Sequence, residues 1–342
     1  MNPALLSLAV ALSFLTLNAQ SWVPQTSPTT ASLRGVRAIS DHIVWASGAN
    51  GTFLRTVDGG EHWTAGQVPG AEKLDFRGIW PVNENIAYLM SAGPGPLSRI
   101  YKTEDAGAHW TLQLTQSNAK GFFDSIAFWD GHTGLILGDP VDGSAELLFT
   151  EDGGLHWNRL TTPPALPGEG AFAASNTCVF VSGRRDAWYV TGGPGAARVF
   201  RSRNSGRGWK VAAAPIRNDA PGAGIFSVAF RDDDHGVVVG GDYSKDKEAR
   251  QTAAFSTDGG KTWKPSANGP AGFRSAVKYL PKARVWVATG TSGSDISRDD
   301  GRTWTKFDEG AFNALTFTRD GSTGWAVGPK GRIARYRSGN AR

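Results

Sequence analysis

Apolar residues in this chain come in short runs separated by clusters of Gly, Pro, Asn and Asp. One stretch shows the rhythm: "FDSIAF" at 123–128, "HTGLILG" at 132–138 and "ELLFTED" at 146–152, followed by "HWNRL". Apolar or alternating runs of four to eight residues bounded by turn formers predict strands. The third and fourth strands are joined by an eight-residue box that recurs along the chain: "TVDGGEHW" ending at Trp63, "TEDAGAHW" at Trp110, "TEDGGLHW" at Trp157, "SRNSGRGW" at Trp209, "STDGGKTW" at Trp263 and "SRDDGRTW" at Trp304. The tryptophans are separated by 47, 47, 52, 54 and 41 residues. That period fits a repeat made of one supersecondary unit, and four antiparallel strands per unit predict an all-β propeller.

Each box position has a structural reason. Asp58, Asp105, Asp152, Asp258 and Asp299, with Asn204 in the remaining copy, are placed to accept backbone N–H groups of their own turn. Gly60, Gly107, Gly154, Gly206, Gly260 and Gly301 supply a positive φ. The ring of Trp63, Trp110, Trp157, Trp209, Trp263 or Trp304 closes the unit by burial.

Six boxes do not mean six blades. Residues 311–339 repeat the first three strands after the last box and then stop, while Trp22 precedes Trp63 by 41 residues, the spacing from Trp263 to Trp304. Residues 21–27 are therefore expected to supply the missing outer strand, pairing the two chain ends in a seven-bladed ring that leaves no open sheet edge.

Composition narrows the remaining possibilities. Residues 1–19, "MNPALLSLAVALSFLTLNA", read as a signal peptide with cleavage before Gln20 or Ser21, leaving 20–342 as one propeller domain. The expected location is secreted or periplasmic, with no stable membrane insertion after cleavage. The lone Cys178 has no partner for a disulfide, dithiol chemistry or a cysteine metal cluster, so no metal and no cofactor are expected. The net charge of +5 owes much to "KGRIARYRSGNAR" at the C-terminus. Without aromatic and basic residues interleaved elsewhere, nucleic acid is not an expected partner, and the chain is expected to be a monomer.

Ser/Thr-x-Asp-x-Gly-x-x-Trp, six times over, resembles the Asp-box or bacterial neuraminidase repeat of sialidase-like propellers. In that family the box lies on the side away from the ligand face, which implies that these copies are structural. Loops alternate faces in a propeller, so the polar residues sort by loop. His62, His109 and His156 lie in boxes, and His42, His132 and His235 lie in turns between first and second strands, all on the box face. A histidine base or metal ligand on the opposite face is thereby excluded from the expectations.

The opposite face carries the candidate site. Aligning the inner-strand starts "LRGV", "FRGI", "FDSI", "IFSV", "FRSA" and "FNAL" sets Arg34, Arg77, Asp124, Phe226, Arg274 and Asn313 at one level around the axis, and "EGAFAAS" brings Glu169 toward it. Loops between second and third strands add Asp139, Asp242 and Tyr243. Fixed guanidinium groups suit carboxylate or phosphate recognition, so these residues form either an anion or acidic-peptide site or an internal salt-bridge network.

Two functions fit. Strings such as "LRGV", "VWASGANGTFLRTVDGG" and "GWAVGPKGRIARYRSG" are similar to the photosystem II assembly and stability factor propellers over residues 21–342. That resemblance implies a noncatalytic chaperone holding a protein segment or anionic ligand, with Arg34, Arg77 and Arg274 as contacts. The alternative is a sialidase-like glycoside hydrolase, a family that uses an arginine triad, a Tyr/Glu nucleophile pair and an Asp acid/base. Arg34, Arg77 and Arg274 invite that comparison, and Tyr243 is the one tyrosine expected on the ligand face. No Arg-Ile-Pro motif follows the leader, however, and the nearest string, "SRIYK", falls in a third strand. The binding propeller is the expected function.

Overall fold

The computed structural model describes residues 20–339, and the leader expected at 1–19 lies outside the described residues. The described chain forms seven four-stranded antiparallel sheets arranged as the blades of a propeller. Blade 1 runs Leu33–Ala38, Val44–Gly48, Thr52–Thr56 and Thr64–Gln67 from axis to rim, and the blades that follow repeat this order. The last blade takes its inner strands from Ala314–Phe317, Gly324–Val327 and Ile333–Arg337, and its outer strand from Ser21–Gln25. Ser21 pairs with Arg337 and Gln25 with Ile333, so the chain ends close the ring as their spacing requires.

Trp22 secures that closure. Its ring sits among Phe307, Phe312, Phe317 and Tyr336, with centroids 5.3–6.4 Å away. Its indole N–H donates to Ser294 Oγ in blade 6 at 3.0 Å. One aromatic side chain therefore joins the first strand to blades 6 and 7.

The boxes have the geometry their residue types dictate. Thr56 Oγ1 accepts the Gly60 N–H at 2.9 Å and donates to Asp58 Oδ1 at 2.8 Å, while Asp58 Oδ1 accepts the His62 N–H at 3.0 Å. The pattern recurs at Thr103, Thr150, Ser256 and Ser297, and its hydroxyl bonds recur at Ser202. These bonds hold the box carboxyls low, to about 2 at Asp105, first through the His109 backbone N–H and then its ring. Gly60 adopts φ +88° and Gly154 +84°, where a β-carbon would be strained.

The boxes also join neighbouring blades. Trp325 of blade 7 donates to Gly59 O of blade 1 at 3.3 Å, Tyr88 of blade 2 to Gly153 O of blade 3 at 2.7 Å, and Trp188 of blade 4 to Gly259 O of blade 5 at 3.2 Å. Three second-strand aromatics thus find a partner for their polar atom in the next blade's turn, while the Trp45 indole N–H and the Tyr189 hydroxyl have none among the described residues. Cys178 is buried and unpaired in the interior.

Trp22→Ala removes a buried indole at the closure and should destabilise the ring by about 3–5 kcal/mol. Equilibrium urea denaturation tests this, and a loss below about 1 kcal/mol would mean that the ring closes without it.

Candidate functional site

The innermost strands place side chains on the axis by a shared device. In blades 1, 2, 3 and 5 the pairing of first and second strands slips by one residue, between Leu33 and Gly35, Phe76 and Gly78, Phe123 and Ser125, and Ile225 and Ser227. The residues skipped are Arg34, Arg77, Asp124 and Phe226. Each is the extra residue of a β-bulge, which takes it out of the ladder and re-aims its side chain. In these four blades the level aligned from the sequence is a row of bulges.

Blade 4 breaks the pattern. Its inner strand begins only at Val179, and the preceding segment, 171–176, crosses the axis as a plug. Ser175 Oγ donates to Ser275 O of blade 6 at 2.7 Å. Asn176 accepts the Ile126 N–H of blade 3 at 2.8 Å and donates to Ile126 O at 3.2 Å, substituting an amide side chain for a missing strand neighbour. Asn176 holds φ +61°, a conformation asparagine tolerates better than most residues. Beside the plug, Thr177 donates to Ser227 at 2.7 Å, Ser275 to Asn313 O at 2.7 Å and the Asn313 amide to Leu33 O at 2.8 Å, tying blades 4 to 5, 6 to 7 and 7 to 1.

The plug divides the channel in two. On the face opposite the boxes it floors a cavity of about 490 Å³ lined by Arg34, Arg77, Asp124, Asp139, Tyr243 and Asn313, together with Phe122, Phe172 and Phe273. Six of the nine polar residues singled out from the sequence therefore share one funnel. One wall is charged and the other aromatic: Phe172 stacks on Phe226 with centroids 3.9 Å apart, and Phe226 meets Phe273 edge-on at 4.6 Å. Phe172 and Phe273 were not anticipated, because one lies in the irregular plug segment and the other precedes its strand.

The other three residues belong elsewhere. Arg274 is fully buried and its Nε donates to Asp295 Oδ2 at 2.6 Å, with Nη1 bound to Phe273 O at 2.7 Å. A buried pair of this kind is internal structure, so Arg274 is not a third funnel arginine. Glu169 turns away to accept from Arg198 Nε at 2.8 Å and from Thr191. Asp242 is buried, accepts the Ser244 N–H at 2.9 Å and lies 3.5 Å from Arg217. Arg274, Glu169 and Asp242 thus follow the internal salt-bridge reading. With Arg274 withdrawn, the funnel does not assemble an arginine triad.

The funnel groups differ electrostatically. Arg77 is held by Asp75 at 2.7 Å and by Ala173 O of the plug at 3.3 Å. Arg34 Nε is buried without a hydrogen-bond partner among the described residues. Burial, and then the charge of Arg77, push Arg34 down to about 10, which leaves it a cation at neutral pH. Asp124 is buried with Oδ2 unpartnered, and its carboxyl is pushed well above the usual range, first by burial and then by Asp139. Burial raises Asp139 as well, against the Ala171 N–H that it accepts at 3.0 Å. The charged wall thus offers a guanidinium without a hydrogen-bond partner, with Asp75 near enough to offset part of its charge, beside carboxyls biased toward their neutral form. Tyr243 stands at the rim, 59% exposed.

Fold and repeat together define an Asp-box β-propeller of seven blades, and comparison with known proteins gives the type. Residues 94–215 match the family model described as photosynthesis system II assembly factor YCF48, and residues 254–265 match the BNR/Asp-box repeat. The chain is an Asp-box propeller resembling the photosystem II assembly factors. Among solved structures, "YCF48 bound to D1 peptide" superposes with a TM-score of 0.67 at 17% identity, covering 95% of this chain and 98% of that one. YCF48 from Cyanidioschyzon merolae gives 0.64 at 18% identity, covering 93% and 99%. The WD40 propeller of Doa1 gives 0.61 at 13% identity, covering 93% and 97%, so the structural likeness shows the fold. No curated protein matches the chain.

Asp124 gives the funnel a signature in pH. Its folded-state pKa lies above that of the unfolded chain, near 3.9, so wild-type stability is full at acidic pH and falls as pH rises through the raised value. Asp124→Asn lacks this loss. The variant should therefore gain about 1 kcal/mol or more on wild type between pH 4 and pH 8, measured by urea denaturation at both; an equal difference at the two would place Asp124 in contact with water.

Proposed function

We propose that this protein is an exported, noncatalytic binding propeller that holds a protein segment by an anionic group in the funnel of Arg34 and Arg77. The observation that carries the reading is Arg34: a half-buried guanidinium whose buried Nε has no partner, beside a second arginine and opposite an aromatic wall. A guanidinium in that state favours a carboxylate or phosphate from outside, because each charge-assisted bond it forms is stronger than a neutral one. Phe172, Phe273 and Tyr243 suit an apolar or aromatic side chain on the same segment. The resemblance to the photosystem II assembly factors, one of whose solved structures holds a D1 peptide, supports a peptide over a small molecule. Withdrawal of Arg274 from the funnel counts against the glycoside hydrolase alternative.

Fluorescence anisotropy with two labelled probes tests the reading: an acidic peptide with an aromatic residue next to its free C-terminal carboxylate, and a D1 peptide. Arg34→Ala and Arg77→Ala should each weaken binding about tenfold or more, the range of a lost charged hydrogen bond, and amidation of the acidic peptide should do the same. Unchanged affinity in the Arg34/Arg77 double variant sinks the funnel as the site. Export has its own check: N-terminal sequencing should find the mature chain starting at Gln20 or Ser21, and an intact Met1 on the accumulated protein would contradict it.

A further inference from the structure

The plug has a second side. On the box face the channel widens into a chamber of about 460 Å³, floored by Ser175, Asn176 and Thr177. Its two halves differ in chemistry. Consecutive blades 6, 7 and 1 contribute Lys278, Arg319 and Arg37, while blades 2, 3 and 4 contribute Trp80, Trp129 and Phe180. Among the described residues no Asp or Glu lines the chamber.

Like Arg34 in the funnel, the three cations have no ion-pair partner among the described residues. Arg77 has Asp75 and Arg274 has Asp295, but among the described residues no carboxylate lies within ion-pairing distance of Arg37, Lys278 or Arg319. Arg37 lies over the Trp80 ring, its guanidinium carbon 3.2 Å from the centroid, and Lys278 Nζ is 6.0 Å from the Phe180 ring. Aromatic faces soften the desolvation of a cation without cancelling its charge. Burial pushes Arg37 down to about 9 and Lys278 to about 8, the latter helped by repulsion from Arg37. Asp320, the acid next in sequence to Arg319, is engaged locally, accepting from Thr318 Oγ1 at 2.7 Å and from the Ser322 N–H at 3.1 Å. Two half-buried like charges facing each other without a paired carboxylate destabilise the empty protein, because they repel and part of their hydration is lost.

We infer that the box-face chamber is a separate binding site for a small organic anion, an oxyanion on a flat apolar body, with Arg37, Lys278 and Arg319 holding the oxyanion and Trp80 and Trp129 flanking the body. Its volume lies within the range of ligand pockets, and its few convergent polar groups in an aromatic wall are the usual composition of one. The plug separates it from the funnel, so the two sites bind independently.

Benzoate, inorganic phosphate and benzamide separate the elements of this site: oxyanion with body, oxyanion alone and body alone. By ligand-observed NMR and isothermal titration, benzoate should bind most tightly, phosphate more weakly and benzamide at least tenfold more weakly than benzoate. Lys278→Met and Arg37→Met should each weaken benzoate at least tenfold, Lys278→Arg should retain it, and Arg319→Ala, an exposed turn position, should weaken it by a smaller factor. Lys278→Met should also melt several degrees higher than wild type without ligand and lose the upward shift that benzoate gives the wild type. The inference is overturned if no probe binds, if benzamide binds as well as benzoate, or if Lys278→Met melts no higher than wild type while binding benzoate equally. It is equally overturned if Arg34→Ala abolishes benzoate binding and Lys278→Met keeps it, since the anion would then sit in the opposite funnel.

Discussion

A blade that is apolar on both faces has nowhere to bury either face except against another blade, and this constraint shapes the rest of the molecule. The second strands show it most plainly: Val44–Gly48, Ala87–Ser91 and Val285–Gly290 are buried along their whole length, on both faces. Each sheet is stable only between neighbours, as in other repeat architectures, and a row of such sheets has exposed ends until it curves back on itself. The boxes set the spacing of the outer turns, and their carbonyls accept the neighbouring blade's Trp and Tyr donors. Closure by Ser21–Gln25 then gives the last blade its fourth strand.

A closed ring leaves a hole, and here the chain fills it from one blade. The irregular approach to the fourth inner strand reaches blades 2, 3 and 6 through Ala173, Asn176 and Ser175, turning a through-channel into two blind chambers. The chambers differ in how their charges are balanced. Opposite the boxes, arginines sit beside carboxyls that are biased toward neutrality or already paired. On the box face, cations stand against aromatic rings alone. A single backbone excursion therefore creates two electrostatic environments on one axis.

The repeat, the blade count and the closing strand were legible in the sequence because each depends on residues close together in the chain. A box carries its Ser/Thr, Asp and Gly within five positions, and the unpaired third strand at 333–337 announces a missing partner. The level of Arg34, Arg77 and Asp124 was legible for the same reason, since homologous strands bulge at homologous positions. What each side chain does there was not. Arg274 aligns with Arg34, yet Asp295 in the third strand of its own blade claims it, and no alignment of inner strands contains that residue. Glu169 was drawn off by Arg198 in the same way. Arg37 and Lys278 went unnoticed because a basic residue in a half-polar strand looks like an ordinary solvent-facing position, and only ring closure encloses it. Trp80 and Trp129, which lie outside the boxes, mark the aromatic half of that enclosure.

The strand that completes the ring is the first to be made and the last to be used. The two hydrogen bonds that dock Trp22 span 286 and 272 residues, among the longest sequence separations in the molecule. Such contacts form late, because the entropy of closing the loop between them must be overcome first. Until then the Ile333–Arg337 edge is an open template whose register is satisfied equally by Ser21–Gln25 of any copy. Closure within one chain is a first-order step, whereas pairing with another copy's strand depends on concentration, so the same edge that completes the ring is the point at which this fold is open to domain swapping.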